Sequence, residues 1–156
     1  MRTFSLGAGA DTVVFGASKT ANGVDTITNF TAGDKLNFKA FTSSLKVGDL
    51  NVTTGQSLSS ADNIYQTTVS GAIKSKDYGE KTNFGELFGT NKPFTTAITS
   101  GSKDLIVVKG NDVTQIYYVS DSDSDSTVED SDVDLVAVIS NNGTGVTLTT
   151  DNFVVA

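Results

Sequence analysis

The chain contains no cysteine and no histidine. Without cysteine it can have neither a disulfide framework nor a zinc ribbon. Without either residue it can have no Ser-His or Cys-His nucleophile pair and no imidazole-bound catalytic zinc. Glutamate occurs only at Glu80, Glu86 and Glu129, methionine once, and proline only at Pro93. With helix formers this scarce, long helices are not expected. No apolar run approaches the roughly 18 residues of a membrane-spanning helix, so no membrane span is expected. Residues 1–11 lack the apolar stretch of a cleaved signal peptide. Such a chain stays in the cytoplasm, is a fragment, or leaves by a route that reads another signal.

What is abundant is Thr, Ser, Val, Asn, Asp and Gly, the residues of strands and turns. The expected fold is mainly β, a β-sandwich or β-roll-like arrangement of short strands with at most one or two short helices. At 156 residues the chain fits a single domain. A globule of this size buries about 68–70% of its unfolded surface and can hold a core without staples. The formal net charge is −7. All of it can be assigned to residues 121–134, where Asp121, Asp123, Asp125, Glu129, Asp130, Asp132 and Asp134 stand without a Lys or Arg. The rest of the chain is balanced. A neutral body with one acidic stretch lacks the clustered Lys and Arg that nucleic acid requires, so nucleic acid is not an expected partner.

Residues 1–40 read as short strands between turns: Asp11-Thr12-Val13-Val14-Phe15, Asp25-Thr26-Ile27-Thr28-Asn29-Phe30 and Lys35-Leu36-Asn37-Phe38. Gly9-Ala10-Asp11-Thr12-Val13 matches Gly23-Val24-Asp25-Thr26-Ile27 fourteen residues on, a faint repeat. Residues 41–103 match no motif. Leu50-Asn51-Val52 reads as a strand. Residues 60–73 place Ile64, Val69 and Ile73 on one helical face, with Ser59 or Ser60 as cap. Residues 84–89 read as a helical turn ended by Gly89. In residues 104–156, Asp104-Leu105-Ile106-Val107-Val108 and Thr114-Gln115-Ile116-Tyr117-Tyr118-Val119 flank Lys109-Gly110-Asn111-Asp112, a hairpin. Asp134-Leu135-Val136-Ala137-Val138-Ile139 is nearly continuous in apolar character, as in a central strand. Asn142-Gly143 marks a turn, and Gly145-Val146-Thr147-Leu148-Thr149 alternates again.

Asp121-Ser122-Asp123-Ser124-Asp125 sets three carboxylates on alternate residues. Calcium takes six to eight oxygens at about 2.3–2.6 Å, and a turning D-x-D-x-D loop can converge its acids on one ion. Counting on at EF-hand spacing adds Glu129 and Asp132. Ser126 stands where that loop wants glycine, Asp132 replaces the longer Glu, and the flanks read as strands. The expectation is therefore a calcium loop between two strands. The alternative is a solvated, self-repelling acidic loop. A second candidate is Gly7-Ala8-Gly9-Ala10-Asp11-Thr12-Val13, which fits the calcium nonapeptide of parallel β-rolls except for Leu6 in the first Gly position. Asp25 and Asp34 could supply further oxygens; alternatively Asp11 and Asp25 simply start strands. Two carboxylates could also serve a glycosidase, but nothing pairs a buried acid with another across a cleft, and no enzymatic activity is expected.

Residues 9–15 and 22–38 together resemble the junction that ends the repeat region of RTX-type proteins, where a G-x-D-T-[FV] turn leads to D-x-I-x-[DN]-F-x-x-G-D-K-[IL]. The carboxy-terminal third is similar to the closing segment of the same family: Ile116-Tyr117-Tyr118-Val119, the acidic loop, the apolar strand from Asp134 to Ile139, then Val146, Leu148-Thr149 and Asn152-Phe153-Val154. The resemblance covers residues 6–38 and 104–156. It implies a bacterial S-layer protein, adhesin or exoenzyme exported by type I secretion machinery, with calcium on Gly7, Gly9, Asp11, Asp25 and Asp34. It also implies an uncleaved carboxy-terminal signal, here Asp151 followed by Phe153-Val154-Val155-Ala156. The expected function is a calcium-binding structural or assembly module of a secreted bacterial cell-surface protein, partnered by copies of itself and folding on extracellular calcium. The alternative is the non-catalytic secretion and folding domain of a larger RTX-type exoenzyme or adhesin.

Overall fold

The computed structural model describes residues 1–60 and 62–155. Its strands are β1 (Thr3–Ser5), β2 (Thr12–Val14), β3 (Asp25–Thr28), β4 (Lys35–Asn37), β5 (Lys46–Val47), β6 (Gln56–Leu58), β7 (Asn63–Thr68), β8 (Phe94–Ile98), β9 (Lys103–Lys109), β10 (Thr114–Ser120), β11 (Val133–Ile139) and β12 (Phe153–Val154). The α-helices are α1 (Lys19–Asn22) and α2 (Lys81–Leu87). The fold is mainly β, as composition predicts.

A seven-stranded sheet, ordered β1-β3-β11-β10-β9-β7-β5, forms the middle layer. One face packs against the three-stranded sheet β12-β4-β2 through Leu105, Val107, Ile116, Tyr118, Leu36 and Phe153. The other face packs against β6-β8 and α2 through Ile106, Val108, Tyr117, Val119, Leu58, Phe94 and Leu87. Because both faces are covered, β9 and β10 alternate between two cores rather than between core and water, and their sequences read as unbroken apolar runs. Of the central strands only β10 runs antiparallel to its neighbours: β1, β3 and β11 are mutually parallel, as are β9, β7 and β5. The smaller sheet is parallel throughout. Successive pairs (β1 with β2, β3 with β4, β11 with β12) thus place one strand in each of two facing sheets.

Parallel pairs pose a problem at their first rung. The leading N–H on one strand has no carbonyl opposite it, and a buried orphan donor costs about 1–3 kcal/mol. The chain answers three times in the same way. Arg2 lies opposite Asp25, Asp11 opposite Asp34, and Asn63 opposite Asp104, one residue before each ladder begins. In each pair the aspartate carboxylate accepts the partner's backbone N–H: Arg2 N to Asp25 Oδ1 at 3.1 Å, Asp11 N to Asp34 Oδ1 at 2.9 Å, Asn63 N to Asp104 Oδ1 at 2.8 Å. All three carboxylates are fully buried.

Side-chain amides extend the same economy. Gln66 Oε1 accepts from Leu148 N at 3.0 Å, and Gln66 Nε2 donates to Leu148 O at 3.1 Å. The Thr114 hydroxyl exchanges bonds with the backbone of Val146 in the same manner. Residues 145–149, read from sequence as a strand, are therefore tied down by side chains and form no ladder. Asn141 likewise accepts from Phe30 N and donates to Phe30 O.

The hairpin reading of 104–119 holds, with β9 and β10 joined by residues 110–113 and Gly110 N bonded to Val113 O. The helical turn near Gly89 also holds, as α2, which begins earlier, at Lys81. Leu50-Asn51-Val52 reduces to a single bridge from Val52 to Thr67. The helix expected over 60–73 is corrected. Residues 63–68 form β7, with Ile64, Tyr65, Gln66 and Thr67 all buried between β5 and β9. The spacing of Ile64, Val69 and Ile73 imitated a helical stripe; the β-branched and aromatic content and the two flanking ladders decide for a strand. Residue 61, within that reading, lies outside the described residues, as does residue 156 of the expected carboxy-terminal signal.

Replacing Asp34 with Ala orphans the N–H groups of Asp11 and Thr31, so unfolding by denaturant should show a loss of roughly 2–4 kcal/mol. Asp34→Asn, which keeps an acceptor, should lose clearly less. Equal losses for the two variants would show that the carboxyl oxygen is not what stabilises the rung.

Candidate metal centre

The acidic residues 121–132 connect β10 to β11, so the carboxylates project from a strand-to-strand loop at one end of the central sheet. Its base is braced by β8: Ile98 N donates to Ser126 O at 3.2 Å, Val128 N to Thr96 O at 2.7 Å, and the buried Val128 joins the second core. A braced loop keeps its carboxylates together despite their repulsion. Asp121, Asp123 and Asp125 each offer an oxygen, and these oxygens all lie within 4.8 Å of one another. Asp121 is buried, whereas Asp123 and Asp125 face solvent.

Local hydrogen bonds shape the turn. Asp121 accepts from Asp125 N and Ser126 N, both at 3.2 Å. Asp123 accepts from Asp125 N at 3.4 Å, and Asp125 from Thr127 N at 2.7 Å. Each carboxylate oxygen has two lone-pair sites, so these bonds leave room for a cation. To turn inside so short a span, the backbone enters the left-handed region at Ser124 (φ 63°) and Ser126 (φ 66°). The position read from sequence as wanting glycine is indeed one where a side chain is costly.

Glu129 and Asp132 are not part of the cluster. Asp132 is buried and accepts from Ser122 N, Ser122 Oγ and Glu129 N, while Glu129 completes a capping box around the short 3₁₀ turn Asp130–Asp132. Asp134 pairs with Lys19 at 3.2 Å. Asp132 thus holds the loop shut where β11 begins, much as Asp34 does before β4, by bonding the backbone three residues upstream.

The amino-terminal candidates are dispersed into separate structural duties. Asp25 is held by Arg2, whose guanidinium meets both carboxylate oxygens, at 3.1 and 2.5 Å. Asp34 also accepts from Thr31 N at 2.6 Å and Thr31 Oγ1 at 3.0 Å. Burial pushes its carboxyl up, but these bonds and that from Asp11 outweigh burial and hold it below the usual carboxylate range. Asp11 accepts from Gly7 N at 3.1 Å, closing an exposed turn through Gly9 at φ 114°. Among the described residues, Asp121, Asp123 and Asp125 are the one group of acids whose oxygens converge.

Asp104 escaped the sequence reading as anything but a strand start. Its signal was partial: like Asp11, Asp25 and Asp34 it stands at the start of a strand, but Leu105 follows it directly where Thr12, Thr26 and Lys35 follow the others. Gln66 carried no comparable signal, because only the fold brings it against Leu148.

Ser126→Gly should relieve the left-handed backbone, raise stability by roughly 0.5–1 kcal/mol in thermal melts, and leave the three carboxylates in place. A loss of stability would show that the serine side chain supports the turn. A scan of protein-family models finds no match to this chain, and searches of curated proteins and of solved structures find none either.

Proposed function

We propose that the protein is a calcium-binding structural and assembly module of a secreted bacterial surface protein, whose ion sits in the β10–β11 loop. The observation that carries the calcium reading is the convergence of the Asp121, Asp123 and Asp125 oxygens within 4.8 Å on a braced loop. Hard oxygen ligands of this kind suit calcium, with loop carbonyls and water completing its six to eight positions. The ion would neutralise a cluster that otherwise repels itself, so binding favours the folded chain. Low calcium inside a cell and higher calcium outside would couple that folding to export.

Two further observations support the assembly and RTX-type parts of the reading. The parallel stacks β1-β3-β11 and β2-β4-β12 alternate as turns of a short two-sheet roll would, with β5 to β10 inserted between the second turn and the third. The first turn is also open. In β1, Arg2 O and Leu6 N bond toward β3, so Thr3 and Ser5 aim their backbone groups outward; in β2, Asp11 O and Phe15 N bond toward β4, so Thr12 and Val14 do the same. Residues 3–10 and 12–18 carry no charge and no proline, the usual guards of an edge, and Val14 is 57% exposed. A second copy pairing along this edge gives a surface assembly. An upstream turn on the same edge would fit the second reading, the secretion and folding domain of a larger RTX-type exoenzyme or adhesin.

Calcium at a hundredfold excess over Kd adds about 2.7 kcal/mol, which for a domain of this size is a melting rise of roughly 5–10 °C. Asp123→Asn should be more stable than wild type in chelator, because one repelling charge is gone, and should gain less from calcium. Identical melts of the wild type in calcium and chelator would sink the calcium reading. For assembly, sedimentation of the wild type should show self-association that Val14→Lys abolishes without changing the circular dichroism spectrum. A wild type that stays monomeric at high concentration would leave only the second reading.

A further inference from the structure

The three buried aspartates that cap parallel strand pairs are not equivalent in charge. Asp25 is neutralised by Arg2. Asp34 gathers three donors, from Asp11 N, Thr31 N and Thr31 Oγ1. Asp104 has two, Asn63 N at 2.8 Å and Ser102 Oγ at 3.1 Å, and its neighbour in charge is another carboxylate, Asp62. Asp62 caps in the reverse direction: its Oδ1 accepts from Lys103 N at 3.0 Å, its Oδ2 from Thr42 Oγ1 at 3.0 Å, and its carbonyl from Lys46 N at 2.9 Å. Residues 62–63 and 103–104 are therefore cross-clasped by two acids, and the clasp also holds the start of β5.

We propose that this Asp62–Asp104 clasp is a pH-sensitive latch on the β9-β7-β5 half of the central sheet, closed when Asp104 carries a proton and loosened when it ionises. The groups around it offer little compensation. From β9 comes Lys103, whose ammonium turns away to Phe41 O and the Phe41 ring. From β7 comes Tyr65, whose hydroxyl is pushed up by burial first and then by Asp104 and Asp49. The start of β5 contributes the exposed Lys46 through its backbone alone. On the other side β10 places the uncharged Val119 opposite Asp104 and Ser120 opposite Lys103, with Asp121 following. Burial, chiefly, raises the Asp104 carboxyl to about 7, the two hydrogen bonds oppose it, and Asp62 raises it further. The sign follows by linkage. Closing the latch takes up a proton, so its advantage is full below the ordinary carboxylate value near 4 and is lost as pH rises through about 7.

Hydrogen exchange followed by mass spectrometry, in chelator at about pH 5.5 and about pH 8, reads the latch directly. After correction for intrinsic rates, peptides carrying Lys46, Asn63 and Lys103 should open at least about tenfold more readily at the higher pH, while the β10–β11 pair stays unchanged. Asp104→Asn keeps an acceptor for Asn63 N but cannot titrate, so it should abolish the pH response. Asp62→Asn, which keeps the Lys103 bond and removes the neighbouring charge, should move the response to lower pH. Equal wild-type protection at both pH values, or a response that survives Asp104→Asn, overturns the latch. If Asp104→Asn fails to fold, the direction of the Asp62→Asn shift decides.

Discussion

The first N–H of a parallel strand pair is the constraint on which the rest of this structure depends. A hairpin closes its ladder with a turn, but a parallel pair opens with a donor that faces nothing. Here an aspartate at the start of the neighbouring strand, one or two positions before its first apolar residue, reaches across and takes it, at Asp25, Asp34 and Asp104. The solution needs an oxygen acceptor on a short side chain, and it lets strands as short as three or four residues, β1 with β3 and β2 with β4, pair parallel. Aspartate suits the position better than glutamate, whose carboxylate stands one methylene further from the backbone.

That constraint also sorts the acids. Carboxylates buried at rungs are engaged by the backbone, by Arg2 or by the hydroxyls of Thr31 and Ser102. Carboxylates in the β10–β11 loop bond their own turn but converge with free lone pairs. The same element that braces this loop, β8, belongs to the second core, so the cluster's geometry is inherited from packing beneath it.

Much of this was legible in the sequence. The apolar runs of β9, β10 and β11, the hairpin and the acidic loop follow from composition and spacing alone. The Asp11–Asp25 repeat was visible too, but its meaning was not. Acid-then-apolar after a glycine is what a calcium turn and a strand cap both look like, and only the register of β1 on β3 and β2 on β4 shows which N–H the carboxylate takes. The helix expected over 60–73 failed for a related reason. A strand covered on both faces loses its alternation, and Ile64, Val69 and Ile73 then fall by accident at helical spacing. Residues 145–149 do alternate, yet their partners are the side chains of Gln66 and Thr114, which no local pattern announces.

The division of labour between the rung-capping aspartates and the loop aspartates proposed to hold an ion is tested most directly by following backbone amide NMR signals through a calcium titration. Shifts should be confined to residues 121–127, with the amides of Arg2, Asp11 and Asn63, held by Asp25, Asp34 and Asp104, unmoved. Movement of those three amides with the same midpoint as the loop would contradict it.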